Sequence, residues 1–136
     1  MKVAADTSVL VAAFASWHER HDVAFAAVGH ADALVAHCLL ETYSVLTRLP
    51  SPHRMLPDVV ATYLDRSFGR HAVFGLPALD QRKLVATCVT QGLSGGSIYD
   101  ALIAATCTRF GLKLLTLDGR ARQTYAALGV DHELLA

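Results

Sequence analysis

The apolar positions of this chain fall into short runs separated by longer stretches with helical spacing. Val3-Ala4-Ala5 is an apolar run that stops at Asp6 and predicts a first strand. Ser8 to Ala15 and His18 to Val28 carry helical periodicity. Ala33 to Ala36 predicts a second strand, followed by a helix from about Cys38 to Leu49. Pro50, Pro52 and Pro57 bracket a loop, because proline cannot continue a helix and restricts the residue before it. Asp58 to Phe68 predicts a helix, Ala72 to Phe74 a brief strand and Ala78 to Gln91 another helix. Gly92, Gly95 and Gly96 form a turn before a helix from Ile98 to Phe110. Leu112 to Leu117 is the strongest strand pattern, Arg120 to Leu128 the last long helix, and Gly129-Val130 leads into a final strand. Apolar strands alternating with helices predict an α/β fold, a mainly parallel sheet covered on both faces. In open sheets of this kind ligands bind beyond the carboxyl ends of the strands, where the strand order reverses. Acids at strand ends are therefore the residues to examine.

Composition narrows the reading. The chain has 136 residues with no dividing Gly/Ser or charged stretch, no internal repeat and no low-complexity run, so one domain over residues 1–136 is expected. Twelve Lys and Arg balance twelve Asp and Glu. That excludes a histone-like basic binder, whose affinity comes from counterion release over a large cationic face. A nucleic-acid enzyme needs only a local basic rim. Apolar residues make up 53% of the chain and charged ones 18%, against roughly 25% charged in an average soluble domain. No apolar run approaches the ~20 residues that span a bilayer, and the chain reaches Asp6 before a signal-peptide core forms. A cytoplasmic oligomer with no membrane contact is expected. Cys38, Cys88 and Cys107 are odd in number, form no C-x-x-C pair and lie among apolar neighbours. They are expected to be buried fillers in a reducing compartment.

Four carboxylates then stand out. Asp6 ends the first strand, Glu41 lies one turn into the helix after the second, Asp100 lies in the first turn after the glycine turn, and Asp118 ends the strong strand. Each has an ordinary structural role open to it. Asp6 can cap the following helix, Ser97-Ile98-Tyr99-Asp100 has the S-x-x-D form of a capping box, and Asp118-Gly119 is a common turn pair. Glu41, Ser44 and Arg48 form one polar stripe on an otherwise apolar helix, as a solvated face does. The joint pattern is more informative: two acids end strands and two open helices that start near the same edge. Two carboxylates about 4 Å apart repel by roughly 4 kcal/mol at an effective dielectric of 20. Such a cluster takes up protons unless a cation neutralises it. Oxygen ligands without histidine or cysteine favour magnesium or manganese over zinc. Ions held this way activate water and stabilise the oxygens of a phosphodiester, with Ser8 and Thr116 placed to orient the carboxylates.

Asp6-Thr7-Ser8-Val9-Leu10 resembles the opening of a PIN domain. So do Glu41 after the second strand, Gly96-Ser97-Ile98-Tyr99-Asp100-Ala101-Leu102-Ile103-Ala104-Ala105, and Leu115-Thr116-Leu117-Asp118. The likeness spans nearly the whole chain and is closest to the VapC toxins. It implies a three-layer fold with a five-stranded, mainly parallel sheet, homodimerisation, and magnesium- or manganese-dependent endoribonuclease activity. It also implies inhibition by a paired VapB-like antitoxin. The same resemblance assigns Asp6, Glu41, Asp100 and Asp118 as the acidic, metal-binding site, with Ser8 and Thr116 in support. Asp118 is followed by Gly119-Arg120 rather than a second acid, so a fifth carboxylate is not expected, and Asp118 is the weakest of the ligands.

Other readings fit less of the chain. His18 and His21 stand one helical turn apart without a third ligand, which favours a solvated helix end over zinc. The remaining histidines are scattered. Arg48, His53, Arg54, Arg120 and Arg122 are candidates for a basic rim on phosphates, or for ordinary surface. A haloacid-dehalogenase-like phosphatase wants a second acid where Ser8 stands, together with a lysine motif. A receiver domain wants paired acids after the first strand and a phosphoacceptor where Phe74-Gly75 stands. A PIN-like interaction module without activity would not need all four acids. The excess of apolar residues, with a mean hydropathy of +0.36, predicts exposed apolar surface that marks an interface. A groove for an antitoxin helix is expected between the helices flanking the proline loop.

Overall fold

A computed structural model describes residues 2–136, and Met1 lies outside the described residues. The chain runs β1 (Lys2–Ala5), α1 (Thr7–Phe14), α2 (His21–Val28), β2 (Ala33–Val35), α3 (Ala36–Thr47), α4 (Pro57–Phe68), β3 (Ala72–Phe74), α5 (Ala78–Gln91), α6 (Ser97–Phe110), β4 (Leu112–Thr116), α7 (Gly119–Leu128) and β5 (His132–Leu134). Every strand pairing is parallel, and the sheet order is β3-β2-β1-β4-β5. The α/β expectation therefore holds, with a sheet parallel throughout and five strands as the resemblance implied.

This order puts the decisive feature at the centre. From β1 the chain builds outwards through β2 and β3, then returns to lay β4 on the other side of β1. The reversal falls between β1 and β4, which pair from Lys2 beside Leu112 to Ala5 beside Leu115. The carboxyl ends of these two strands open the crevice where such sheets bind ligands. Asp6 follows one and Asp118 the other.

The central strands are buried because helices cover them. Ala4, Ala5, Leu34, Val35 and Leu114 join Leu10, Leu46, Val60, Ile103 and Tyr125 in the main core. The edge strands β3 and β5 have three residues each and are mostly exposed, which limits edge pairing with other chains. A smaller cluster of Leu76, Leu84, Cys88 and Ala101 fastens α5 to α6. Gly92 ends α5 in the left-handed conformation, and Gly95 repeats it three residues later. Those two positive φ values, costless for glycine, reverse the chain and aim the first turn of α6 at the crevice.

Two expectations need correction. The second helix begins at His21 rather than His18. Residues 15–20 form a turn in which the His18 imidazole Nδ1 accepts the Arg20 amide at 3.0 Å, while His21 Nδ1 bonds the Ala12 carbonyl at 2.8 Å. Local side-chain to backbone bonds win over helix here, and the two histidines do not share a helical face. The apolar groove between α3 and α4 exists, but away from the proline loop, lined by Leu34, Leu40, Tyr43, Leu64, Phe68 and Val73. The three cysteines are free and buried, as expected. Burial pushes the Cys107 thiol up to about 12 and the Cys38 thiol well above its ordinary range, so both stay protonated. Among the described residues, no helix is long and apolar enough to cross a membrane.

Candidate active site

The first acid is fixed by the sheet itself. The Asp6 amide donates to the Leu115 carbonyl at 2.9 Å, extending the β1–β4 ladder by one residue. Its side chain then caps α1, with Oδ1 accepting the Val9 amide at 3.4 Å and the Ser8 hydroxyl at 2.5 Å. Oδ2 accepts the Tyr125 hydroxyl at 2.8 Å. Asp6 is 3% exposed, and that desolvation raises its pKa, opposed by the hydroxyls of Ser8, Thr116 and Tyr125 and by the Val9 amide. Tyr125 is itself held far above the usual phenol range by burial and by the Asp6 charge, so it remains a donor.

Asp118 mirrors this arrangement at the end of β4. It caps α7, its Oδ1 accepting the Arg120 and Ala121 amides at 2.9 and 3.3 Å. Its own amide donates to Thr116 Oγ1 at 3.0 Å. Ser8 ties the two strand ends together: it donates to Asp6 and accepts the Leu117 amide at 2.9 Å. Ser8 and Thr116 thus hold the backbone that carries the acids.

The other two acids stand on helix flanks. Glu41 projects from α3, more than one turn into that helix because α3 starts directly after β2 at Ala36. Its Oε1 accepts the Thr7 hydroxyl at 2.5 Å. His37, one turn earlier, places Nε2 at 3.5 Å from Glu41 Oε2 and stacks on Tyr99 with ring planes 2° apart. His37 Nε2 is buried and makes no hydrogen bond, so one of the seemingly scattered histidines stands against the site. Asp100 lies in the first turn of α6, but no capping box forms. Gly96 is the cap residue, and the Ser97 hydroxyl donates to the Ser94 carbonyl at 2.6 Å. Asp100 has no hydrogen-bond partner among the described residues. Desolvation, then the charges of Asp118, Asp6 and Glu41, push its pKa up to about 6.

All four carboxylates line one cavity of about 570 Å³ at the switch between β1 and β4. Tyr125, Thr7, Arg20 and Glu19 line it too, and sequence reasoning missed all four. Tyr125 had a readable signal, since it lies seven residues after Asp118 and shares a helical face with it and Ala121. Glu19 is a further acid on the wall beside the four expected ones; it enters from the turn between α1 and α2, which no hydrophobic periodicity marked. Arg48, His53, Arg54, Arg120 and Arg122 do not line the cavity. Arg54 instead closes the proline loop through the Leu49 carbonyl, and His53 stacks on Trp17.

Among the described residues no three acid, histidine or cysteine side chains already form a cage for a metal ion. The walls fit a hydrated cation better than a dry one. Magnesium keeps several waters and takes one or two protein carboxylates; the lining offers carboxylates from Asp6, Glu41, Asp100 and Asp118, with His18 as its one imidazole, and the neighbouring acids raise the proton affinity of Asp100. No lysine lines the cavity, and Ser8 is committed to backbone support, so the parts of a dehalogenase-like phosphatase are missing among the described residues.

The PIN domain family matches residues 3–127. Ribonuclease VapC40 of Mycobacterium tuberculosis is 46% identical over 133 residues, covering 98% of each chain. Ribonuclease VapC27 of the same organism is 36% identical over 129 residues, covering 94% of this chain and 93% of its own. The crystal structure of Mycobacterium tuberculosis VapC20, a sarcin–ricin loop cleaving toxin, superposes with a TM-score of 0.71 at 21% identity. That match covers 90% of this chain and 94% of VapC20.

Proposed function

The chain belongs to the PIN domain family, and from that membership we propose that it is a magnesium- or manganese-dependent endoribonuclease of the VapC toxin type, hydrolysing RNA phosphodiesters. One observation carries the reading: Asp6, Glu41, Asp100 and Asp118, from four separate segments, line a single cavity at the sheet's switch point. A divalent ion held there supplies water activation and charge neutralisation at the phosphate. The protein's own contribution is placement. Asp6 is locked by Ser8, Tyr125 and the Val9 amide, Glu41 by Thr7, and Asp118 by two α7 amides. Asp100 is the least restrained acid and the one most relieved by a cation.

The same family implies a VapB-like antitoxin and a homodimer. Exposed apolar side chains support a need for partners: Leu40 is 70% exposed beside Tyr43 and Val73, and Leu79, Val85 and Val89 stand out along α5. The decisive test is cleavage of a structured RNA with magnesium, with chelator, and by an Asp6→Asn control. Cutting that survives thorough chelation sinks the metal-dependent reading. Light scattering of the chain alone and with a VapB-like antitoxin tests the partners, and a monomer indifferent to the antitoxin would remove that half.

A further inference from the structure

We propose that Arg20 grips the RNA phosphate at the acidic cavity, an assignment that rests on the nuclease reading. A wall of carboxylates repels a phosphodiester, and a divalent ion offsets only part of that charge, so the site calls for a fixed cation of its own. Arg20 is the one lysine or arginine that lines the cavity among the described residues. It shares the lining with Asp6, Glu19, Glu41, Asp100 and Asp118, yet forms no ion pair with any of them; the described ion pairs lie elsewhere, apart from His37 with Glu41. An arginine that lines the same cavity as five carboxylates and is paired with none of them is free to take an incoming anion. Its fork of donors matches two phosphate oxygens, which a lysine's point charge does not.

The backbone under Arg20 is built to hold it there. Its amide donates to His18 Nδ1, and its carbonyl accepts the Ala24 amide at 3.0 Å, starting α2. His21 on one side is bonded to Ala12 of α1, and Trp17 on the other stacks on His53 at 4.0 Å. The turn is thus tied to α1, to α2 and to the proline loop, while the Arg20 side chain makes no hydrogen bond of its own among the described residues. Removing that side chain leaves these ties in place.

The experiment pairs Arg20→Ala and Arg20→Lys with two readouts. In an otherwise intact protein with magnesium, Arg20→Ala is expected to lower kcat/KM on RNA by about 10²-fold, the loss typical of one donor to a charged transition state. Arg20→Lys recovers only part of it. In an Asp100→Asn background that cuts slowly enough for a binding measurement, anisotropy of a labelled single-stranded RNA should show binding weakened roughly 5- to 100-fold by Arg20→Ala. The plot of log affinity against log salt should also be shallower by about 0.7 for the one lost phosphate contact. Melting temperature and magnesium affinity should hold or rise slightly. Unchanged binding and salt slope, with or without a change in cleavage, overturns the phosphate grip, as does a lowered melting temperature that accounts for the loss. If the unaltered protein does not cut RNA, the nuclease reading fails by itself, and the binding comparison still judges Arg20.

Discussion

The acidic cavity has two halves that are held in opposite ways. Asp6 and Asp118 end the paired strands β1 and β4, cap the helices that follow, and accept amide and hydroxyl donors at short range. Glu41 and Asp100 stand on helix flanks, where Glu41 has one hydroxyl donor and Asp100 has none. Each strand-end acid contributes a cap worth about 0.5–2 kcal/mol over alanine, which for Asp6 is set against the desolvation that raises its pKa. Asp100 does the reverse: a half-buried, like-charged acid without a donor costs the metal-free fold. Asp100 is therefore the residue that folding alone does not account for, and capping and metal binding are compatible rather than rival roles for the other two.

The largest effect that tests this contrast is on catalysis. Asp100→Asn should lower RNA cleavage with magnesium by about 10²–10⁴-fold, the several kcal/mol a metal site contributes. The metal-free variant should melt at the same temperature or higher at pH 7. Glu41→Gln should follow the same pattern, and joining the two should add little, as residues acting as a unit do. An Asp100→Asn protein that is destabilised but fully active would invert the comparison.

Tyr125→Phe comes next. It leaves Asp6 Oδ2 without its donor in a buried place, which should cost about 1–3 kcal/mol in denaturant unfolding and roughly 10–100-fold in cleavage. A smaller effect separates the two duties of Asp118. Asparagine caps as well as aspartate, so Asp118→Asn should keep stability, whereas Asp118→Ala should lose about 0.5–2 kcal/mol. Both should lose activity equally. If only the alanine variant is impaired, Asp118 acts as a cap alone.

The contrast also explains what was legible in the sequence. Asp6 and Asp118 announce themselves because a strand end followed by a cap is a local pattern. The sheet's parallel nature follows from apolar strands alternating with helices, and the elements sit within a few residues of where that pattern puts them. Glu41 and Asp100 stand out only jointly with the strand-end acids, and the resemblance then assigns them to the site, since a polar stripe and an S-x-x-D match each have ordinary explanations. For Asp100 the structure removes the ordinary one, because Ser97 turns back to Ser94 and caps nothing. Arg20 and Glu19 were not legible at all. They reach the cavity only because His18, His21 and Trp17 shape the preceding turn through contacts with Ala12 and with His53, and no periodicity encodes such contacts.

The smallest effect is on pH dependence, and its sign is diagnostic. Asp100 titrates near 6 in the folded, metal-free protein, against 3.8 for an ordinary aspartate. Between those values the folded state binds more proton than the unfolded one, so this group's contribution to stability is fullest below about pH 4. It is lost as pH rises to about 6, and is flat above. Asp32, whose pKa is lowered by the Val3 amide, pulls the other way, so total stability is the wrong readout. The difference in melting temperature between the unaltered protein and Asp100→Asn isolates the group, and it should grow in the variant's favour from pH 4 to pH 6. The effect is modest because solvent reaches the carboxylate and screens it. Magnesium should reverse it: binding displaces the Asp100 proton, so the ion should raise the melting temperature more at pH 7 than at pH 5, and Asp100→Asn should respond weakly at both. Equal pH slopes in the two proteins would mean that Asp100 does not feel its neighbours' charges, and the distinction between the two halves of the site would lose its electrostatic basis.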